Sequence, residues 1–302
     1  MKTPQSNKQS NKQSNNNSHN KSYQLLDSGN FEKLEQAGPF RIRRPAPSAV
    51  WSPRFSKAEW ANVDAHFVRE KDNGEWNIKN QKLKEEWDIE IQGITFHLKL
   101  TSFGHLGIFP EQLSNWIKIE EICNDRVRAK KSCKVLNLFA YTGGSTLFCA
   151  KAGAEVTHVD ASRGSVNWAS QNAQLSGLSE AKTRWIVDDV NEFVAREIRR
   201  GSKYDGIILD PPSYGRGSKN QIWKIEEHLG PYLLELKKVM SDDFSFLLLS
   251  SHTPGYTPIS LRNQLSDLFP KGYDFIAEEM LIAEKAGRDL PSGTYCMAIK
   301  KG

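Results

Sequence analysis

From Lys134 to the C-terminus the chain alternates between short unbroken apolar runs and longer stretches whose apolar residues recur at helical spacing. The runs at 134–139, 155–159, 184–187, 205–209 and 244–249 predict strands. Segments such as Arg163–Leu175 and Asn191–Arg200 predict helices between them. Repeated strand–helix units call for a parallel sheet covered on both faces, an α/β fold. Two more strand candidates, near 273–282 and 294–300, predict an antiparallel pair at the sheet edge.

The pattern upstream differs. Trp87–Thr101 alternates apolar and polar residues on both sides of Gln92-Gly93, a hairpin signal. Arg41–Trp51 reads as a short strand broken by prolines. Glu111–Lys130 reads as a helix after Pro110, with Leu113, Trp116, Ile117 and Ile122 as candidate buried positions. Residues 25–108 are therefore expected to form a small β-rich subdomain and 109–302 the larger domain. Residues 1–24, with the repeat "SNKQSNKQSNNNS", have almost nothing apolar to bury and are expected to be a disordered tail. An inert tail is the plainest reading. A weak electrostatic tether is the alternative, and the lack of Arg argues against a transit peptide.

Composition changes this picture little. The net charge of +5 includes four lysines and no acid in residues 1–24, which leaves +1 for the rest of the 302 residues. An RNA-binding reading must therefore rest on local patches. No apolar stretch of membrane-spanning length and no secretory h-region is present. The four cysteines have neither metal-binding nor disulfide spacing, so no metal is expected and a reducing, cytoplasmic setting is.

Ligands of open α/β sheets bind at the carboxyl ends of the strands. There stand Ala140-Tyr141-Thr142-Gly143-Gly144, then Asp160-Ala161-Ser162, then Asp188-Asp189-Val190, then Asp210-Pro211-Pro212-Ser213-Tyr214. Gly143 and Gly144 are expected to let backbone lie against a ligand. Asp160, 17 residues past Gly143, is close to the spacing at which an acid grips ribose hydroxyls. Asp189 and the Val190 N–H can read adenine, while Asp188 can be a solvated neighbour. No third glycine follows, so the pyrophosphate geometry of a dinucleotide site is missing. S-adenosylmethionine, with an amino acid in place of phosphates, meets these requirements. Taken singly, each feature has a plainer structural reading, such as a tight turn or a helix cap.

Asp210-Pro211-Pro212 fixes two φ angles and removes two donors, so nearby carbonyls point in set directions. With Asp210 they can accept hydrogen bonds from a planar amine, and Tyr214 can stack on a base. Catalysis at such a site is mostly positioning.

These residues resemble those of class I S-adenosylmethionine-dependent methyltransferases. They are similar to the branch holding the large-subunit rRNA cytosine-C5 and guanine-N7 enzymes. The matching pieces are "VLNLFAYTGG", "VDAS", "QNAQLSGL", "VDDV" and "DPPSYGRG", with "FGHLGIFPEQLSNW" before the fold and "RDLPSGTY" near its end, spanning roughly 40–302. The resemblance implies a Rossmann-like seven-stranded sheet with a terminal antiparallel hairpin. It also implies cofactor contacts from Phe109, Gln112, Asn137 and Phe139. One departure matters: where the cytosine-C5 members carry a cysteine after the fifth strand, this chain has Ser250-Ser251-His252. A hydroxyl without an activating base is a poor substitute for a thiolate, which favours a nitrogen acceptor. His252 is a candidate base or substrate contact.

Arg41, Arg43 and Arg44, near Trp51, form the best basic and aromatic patch, and Arg216 and Lys219 flank the methyl-transfer motif. Arg288 either closes over the site or bridges to Asp289. The function expected is methylation of a base nitrogen in RNA, ribosomal RNA above all. A protein amide or small molecule is the alternative acceptor. More distant readings are an NAD(P) oxidoreductase and a non-catalytic RNA-binding protein.

Overall fold

The computed structural model describes residues 22–70, 73–83, 86–216 and 222–301. The tail expected over residues 1–24 lies almost wholly outside them. The chain forms two compact units: one holds the residues up to Gly107 together with Ala283–Leu290, the other Ile108–Ile282 and the residues from Pro291 onward.

The first unit is β-rich. Strands β1 (Tyr23–Gly29), β2 (Glu32–Ala37), β3 (Phe40–Pro45), β4 (Ala65–Glu70) and β5 (Asn73–Ile78) form one sheet in that order. All its pairings are antiparallel except β3 with β4. A separate hairpin pairs β6 (Glu86–Ile91) with β7 (Ile94–Lys99) around Gln92-Gly93. Both turn residues have positive φ (53° and 77°), the twist a two-residue hairpin loop needs. Every second residue of β6 and β7 is buried, as the alternation requires. A short helix, α1 (Lys57–Ala61), starts at a Ser56–Glu59 capping box and buries Trp60.

The second unit holds a seven-stranded sheet. Its strands are β8 (Lys134–Leu138), β9 (Glu155–Asp160), β10 (Thr183–Val187), β11 (Gly206–Leu209), β14 (Phe246–Ser251), β15 (Tyr273–Ala283) and β16 (Asp289–Lys300). The order is β10-β9-β8-β11-β14-β16-β15, with β16 antiparallel to β14 and the first five strands parallel. Successive strands are added outward in opposite directions from the parallel β8/β11 pair, which makes that junction a topological switch point. Between strands run α2 (Leu113–Arg128), α3 (Gly144–Lys151), α4 (Arg163–Leu175), α5 (Val190–Arg200), α6 (Ile225–Leu236) and α7 (Pro258–Leu268). Strands β11 and β14 are buried throughout, which explains their unbroken apolar runs. No helix among the described residues is long and apolar enough to cross a membrane.

Helix α2 buries Trp116 as expected but otherwise turns a different stripe inward. Trp116, Ile119, Cys123 and Arg126 are buried, whereas Ile117 is exposed and Leu113 and Ile122 are only partly covered. The inward stripe steps by three, four and three residues, and Arg126 belongs to it because Asp205 accepts its charge (3.5 Å).

Candidate functional site

The carboxyl ends of β8, β9, β10, β11 and β14 carry the candidate residues, all within the second unit. The loop after β8 is the most contorted. Phe139 (φ 56°), Tyr141 (φ 48°) and Gly143 (φ 89°) are all left-handed, a conformation that costs a side-chain-bearing residue about 1–2 kcal/mol. Strain of this kind persists only where surrounding bonds fix it. Ala140 N–H donates to Val159 O (3.1 Å) and Tyr141 N–H to Asp160 Oδ2 (2.9 Å). Below the loop, Asn137 Nδ2 donates to Thr146 Oγ1 (2.9 Å), whose hydroxyl reaches His158 Nδ1 (2.9 Å). Burial pushes His158 down to about 3, so the ring is neutral and accepts. Asn137 thus braces the loop from inside the sheet. Phe139 packs its ring on Trp223 (4.8 Å between centroids), so only its backbone belongs to the loop.

The two glycines do not clear space for a ligand in the way expected. A Cβ on Gly144 would lie 2.4 Å from Trp116 Cζ2, and one on Gly143 would lie 2.9 Å from Ala169 Cβ. The protein itself fills the space their missing side chains leave. Gly143 also supplies the left-handed N-cap of α3.

Asp160 accepts from two backbone groups, Tyr141 N–H at Oδ2 and Ser162 N–H at Oδ1 (2.8 Å). Burial raises its pKa against the pull of these bonds. Ser162 caps α4, and Ala161 beside it is exposed. After β10, Asp188 is paired with Arg196 of α5 rather than left solvated. Asp189 caps α5, its Oδ1 accepting from Asn191 N–H (2.9 Å) and Glu192 N–H (3.2 Å), and Val190 is buried behind it.

Asp210 ends β11 within a polar cluster. Gln112 Nε2 donates to Asp210 Oδ2 (3.0 Å) and to Ser250 Oγ (2.9 Å), while Gln112 Oε1 accepts from Asn115 Nδ2 (2.8 Å). The His252 ring lies between two carboxylates, with Nε2 3.2 Å from Glu111 Oε1 and Nδ1 3.5 Å from Asp210 Oδ1. Burial opposes charge on His252, but these two carboxylates outweigh it and raise its pKa to about 10. The two carboxylates thus favour the protonated ring over the free base. Asp210 is pushed up by burial, yet His252, Ser250 and Gln112 bring it below the usual range. Pro211 is buried, Pro212 O accepts from Trp223 Nε1 (2.9 Å), and Ser213 Oγ meets Thr253 Oγ1 (2.7 Å). Tyr214 is 50% exposed at the start of a short strand, β12 (Tyr214–Arg216), which pairs with β13 (Ile222–Lys224).

Two of the three arginines of the expected basic patch, Arg43 and Arg44, are held in ion pairs in the first unit. Arg44 is buried and bidentate to Glu35 (2.6 and 2.7 Å), with a third bond to Gly104 O (2.9 Å). Arg43 is paired with Glu32 and lies over the Trp60 ring, and Arg41 is half-buried. Arg288 is bound within the first unit, to residues other than Asp289. Its Nη2 donates to Asp27 Oδ1 (3.1 Å) and its Nε to Glu284 Oε2 (3.1 Å), with the guanidinium over Trp51. Lys219 and the Arg216 side chain lie outside the described residues.

Two residues at the site were missed. Glu111 is buried next to Gln112 and faces His252. Trp168 of α4 extends an aromatic row, with ring centroids 5.4 Å apart from His252 to Phe109, 5.5 Å to Tyr141 and 6.3 Å to Trp168. The spacing of Trp168 within α4 gave the only available signal, and it does not separate a site residue from a core one.

The comparisons match this arrangement. A family model described as S-adenosylmethionine-dependent methyltransferase matches residues 43–233. The chain belongs to this family. A solved S-adenosylmethionine-dependent methyltransferase of Agrobacterium tumefaciens superposes with a TM-score of 0.88 at 35% identity, covering 93% of this chain and 91% of that one. Ribosomal RNA large subunit methyltransferase K/L of Shewanella frigidimarina is 29% identical over 62% of this chain and 25% of its own length. Ribosomal RNA large subunit methyltransferase I of Aeromonas salmonicida is 33% identical over 44% of this chain and 32% of its own. The chain thus spans a quarter to a third of these two curated relatives. The residues of this methyltransferase fit its cofactor. Among the described residues the buried acceptor atoms Glu111 Oε2 and Asp210 Oδ1 have no hydrogen-bond partner, and both belong to the carboxylates flanking His252, suited to a cationic, donor-bearing ligand.

Proposed function

We propose that this methyltransferase modifies a base nitrogen of RNA, with large-subunit ribosomal RNA as the substrate class. Bound S-adenosylmethionine supplies a methyl group on a sulfonium. In this reading Asp160 accepts from the ribose hydroxyls, and Asp189 and Val190 flank the adenine. The Phe109 and Tyr141 rings wall the site on the side of the β8 loop. Asp210, held by Gln112 and by the His252 imidazolium, orients the acceptor, and the half-exposed Tyr214 ring offers a surface for a base to stack on. For methyl transfer to the lone pair of a ring nitrogen, the protein needs to orient that nitrogen but not to remove a proton from it. That suits a site whose one histidine is already protonated.

The observation that carries the nitrogen assignment is the thiol-free strand end. Cys123, Cys133, Cys149 and Cys296 are all buried, on α2, before β8, on α3 and on β16, and none belongs to Asp210–Tyr214 or to Ser250-Ser251-His252 at the end of β14. Covalent attack on a pyrimidine ring has no nucleophile here. The names of the relatives support RNA. The ion-paired Arg43 and Arg44 favour the second reading, a protein amide acceptor, because two of the arginines expected to follow phosphates are engaged by carboxylates.

Incubating the full chain with methyl-labelled S-adenosylmethionine and unmodified ribosomal RNA tests this. Label in an N-methylated nucleoside after digestion is expected. Label at pyrimidine C5 would overturn the nitrogen assignment, and label only in added ribosomal protein would establish the second reading.

A further inference from the structure

Glu111 is the least explained charge in the molecule. It is 6% exposed, and one of its oxygens, Oε2, has no hydrogen-bond partner among the described residues. Leaving a buried acceptor unpaired costs about 1–3 kcal/mol, and more when the group is charged. Its neighbours are already engaged. Both bonds of Gln112 Nε2 go to Asp210 and Ser250, and its Oε1 is taken by Asn115. The groups facing His252 are Glu111 from the turn Pro110–Gln112, Asp210 from β11, the Phe109 ring, and Gly293 of β16, where a Cβ would come within 3.1 Å of His252 Cδ2. Neither carboxylate has a lysine or arginine partner among the described residues. Glu111 Oε2 and Asp210 Oδ1 are the acceptor atoms of this cluster left without a donor among the described residues.

The geometry points to Glu111 as the acceptor for the α-ammonium group of the cofactor's amino-acid end, with Asp210 left to the methyl acceptor. The inference rests on the family's cofactor binding at these strand ends. Of the groups on the methyl donor and its demethylated product, only the ammonium combines positive charge with N–H donors. The sulfonium has charge without donors, and the adenine amino and ribose hydroxyls are neutral donors. A desolvated carboxylate favours the charged donor, because such hydrogen bonds are roughly twice as strong as neutral ones. Exposure divides the two acids. The Glu111 side chain is 7% exposed, suited to a group enclosed with a small ligand, while that of Asp210 is 27% exposed and reachable by a large substrate.

The test is calorimetric titration with S-adenosylhomocysteine and with its deamino analogue, in which hydrogen replaces the amine. The wild-type chain should bind the amine-bearing ligand about ten- to a hundredfold more tightly. Glu111→Gln should lose that preference by weakening S-adenosylhomocysteine alone. The analogue's affinity, unchanged within about twofold, serves as the check that the variant is folded. Equal binding of both ligands by the wild type would overturn the assignment. So would an equal loss of both in Glu111→Gln, since Glu111 would then only shape the site. Binding of neither ligand to the wild type would overturn it together with the cofactor reading.

Discussion

In the first unit Glu35 is fully buried, and both its oxygens are engaged: Arg44 donates to each, and Tyr23 and Lys33 reach Oε1. In the second unit Glu111 is almost as buried, yet one of its oxygens has no donor among the described residues. The same contrast separates Asp27, which accepts from Arg54, Phe55, Trp60 and Arg288, from Asp210. Charge closed upon itself stabilises a fold and offers nothing to a ligand. Charge left short of donors at strand ends costs stability, and a ligand can compensate for it. This difference, rather than the total of basic residues, marks where the chemistry belongs.

Breaking the closed side should give the largest effect. Arg44→Ala leaves buried Glu35 with Tyr23 and Lys33 on Oε1 but no donor on Oε2, and should destabilise the first unit by about 3–5 kcal/mol in denaturant melts, with cofactor affinity unchanged. A loss below about 1 kcal/mol would mean that water reaches Glu35 and the contrast is weaker than drawn. On the open side, Asp210→Asn should lower the methyl-transfer rate roughly 10²–10³-fold, the scale of one removed transition-state contact, with little change in melting temperature. Normal turnover would remove Asp210 from the site.

Smaller effects sharpen the boundary between the two roles. Gly144→Ala should cost about 1–3 kcal/mol of stability, because the new methyl meets the Trp116 ring. If instead stability held and only cofactor affinity fell, the glycine would be clearing space for the ligand after all. Asp160→Ala should weaken S-adenosylhomocysteine by about 1–3 kcal/mol in calorimetry, through lost bonds to a charged acceptor and a loosened Tyr141.

The pH dependence should be smallest and two-sided. Arg44, with Lys33, overcomes burial and holds Glu35 down at about 2 from 4.5. Its contribution is present above pH 4.5 and is lost as pH falls through 2. His252, raised from 6.5 to about 10, contributes fully below pH 6.5 and loses that contribution as pH rises through 10. Because the His252 side chain is 35% exposed, solvent screens the alkaline limb and makes it shallow. Melts across both limbs should flatten on the acid side in Arg44→Ala and on the alkaline side in His252→Gln.

Much of the second unit was legible because its period is strong. Arg163–Leu175 forms a helix with the bounds read from its pattern, and the acids at the strand ends stand where the strand order requires. What escaped depends on residues far apart in the chain. Arg288 finds Asp27 across 261 positions, and Trp116 fills the space at Gly144, so neither pairing has a local signature. The inward stripe of α2 was legible at Trp116 but not at Arg126, which becomes a buried residue only through Asp205. Glu111 went unseen because an unsatisfied atom is defined by its surroundings, which no spacing reveals.

The most direct test of the central claim, that the strand-end acids of the second unit are directed at a ligand, is calorimetric titration of the full chain with S-adenosylhomocysteine, with NADH in parallel. The account predicts micromolar binding of the first and none of the second. Binding of NADH alone, or of neither at millimolar concentration, would contradict it.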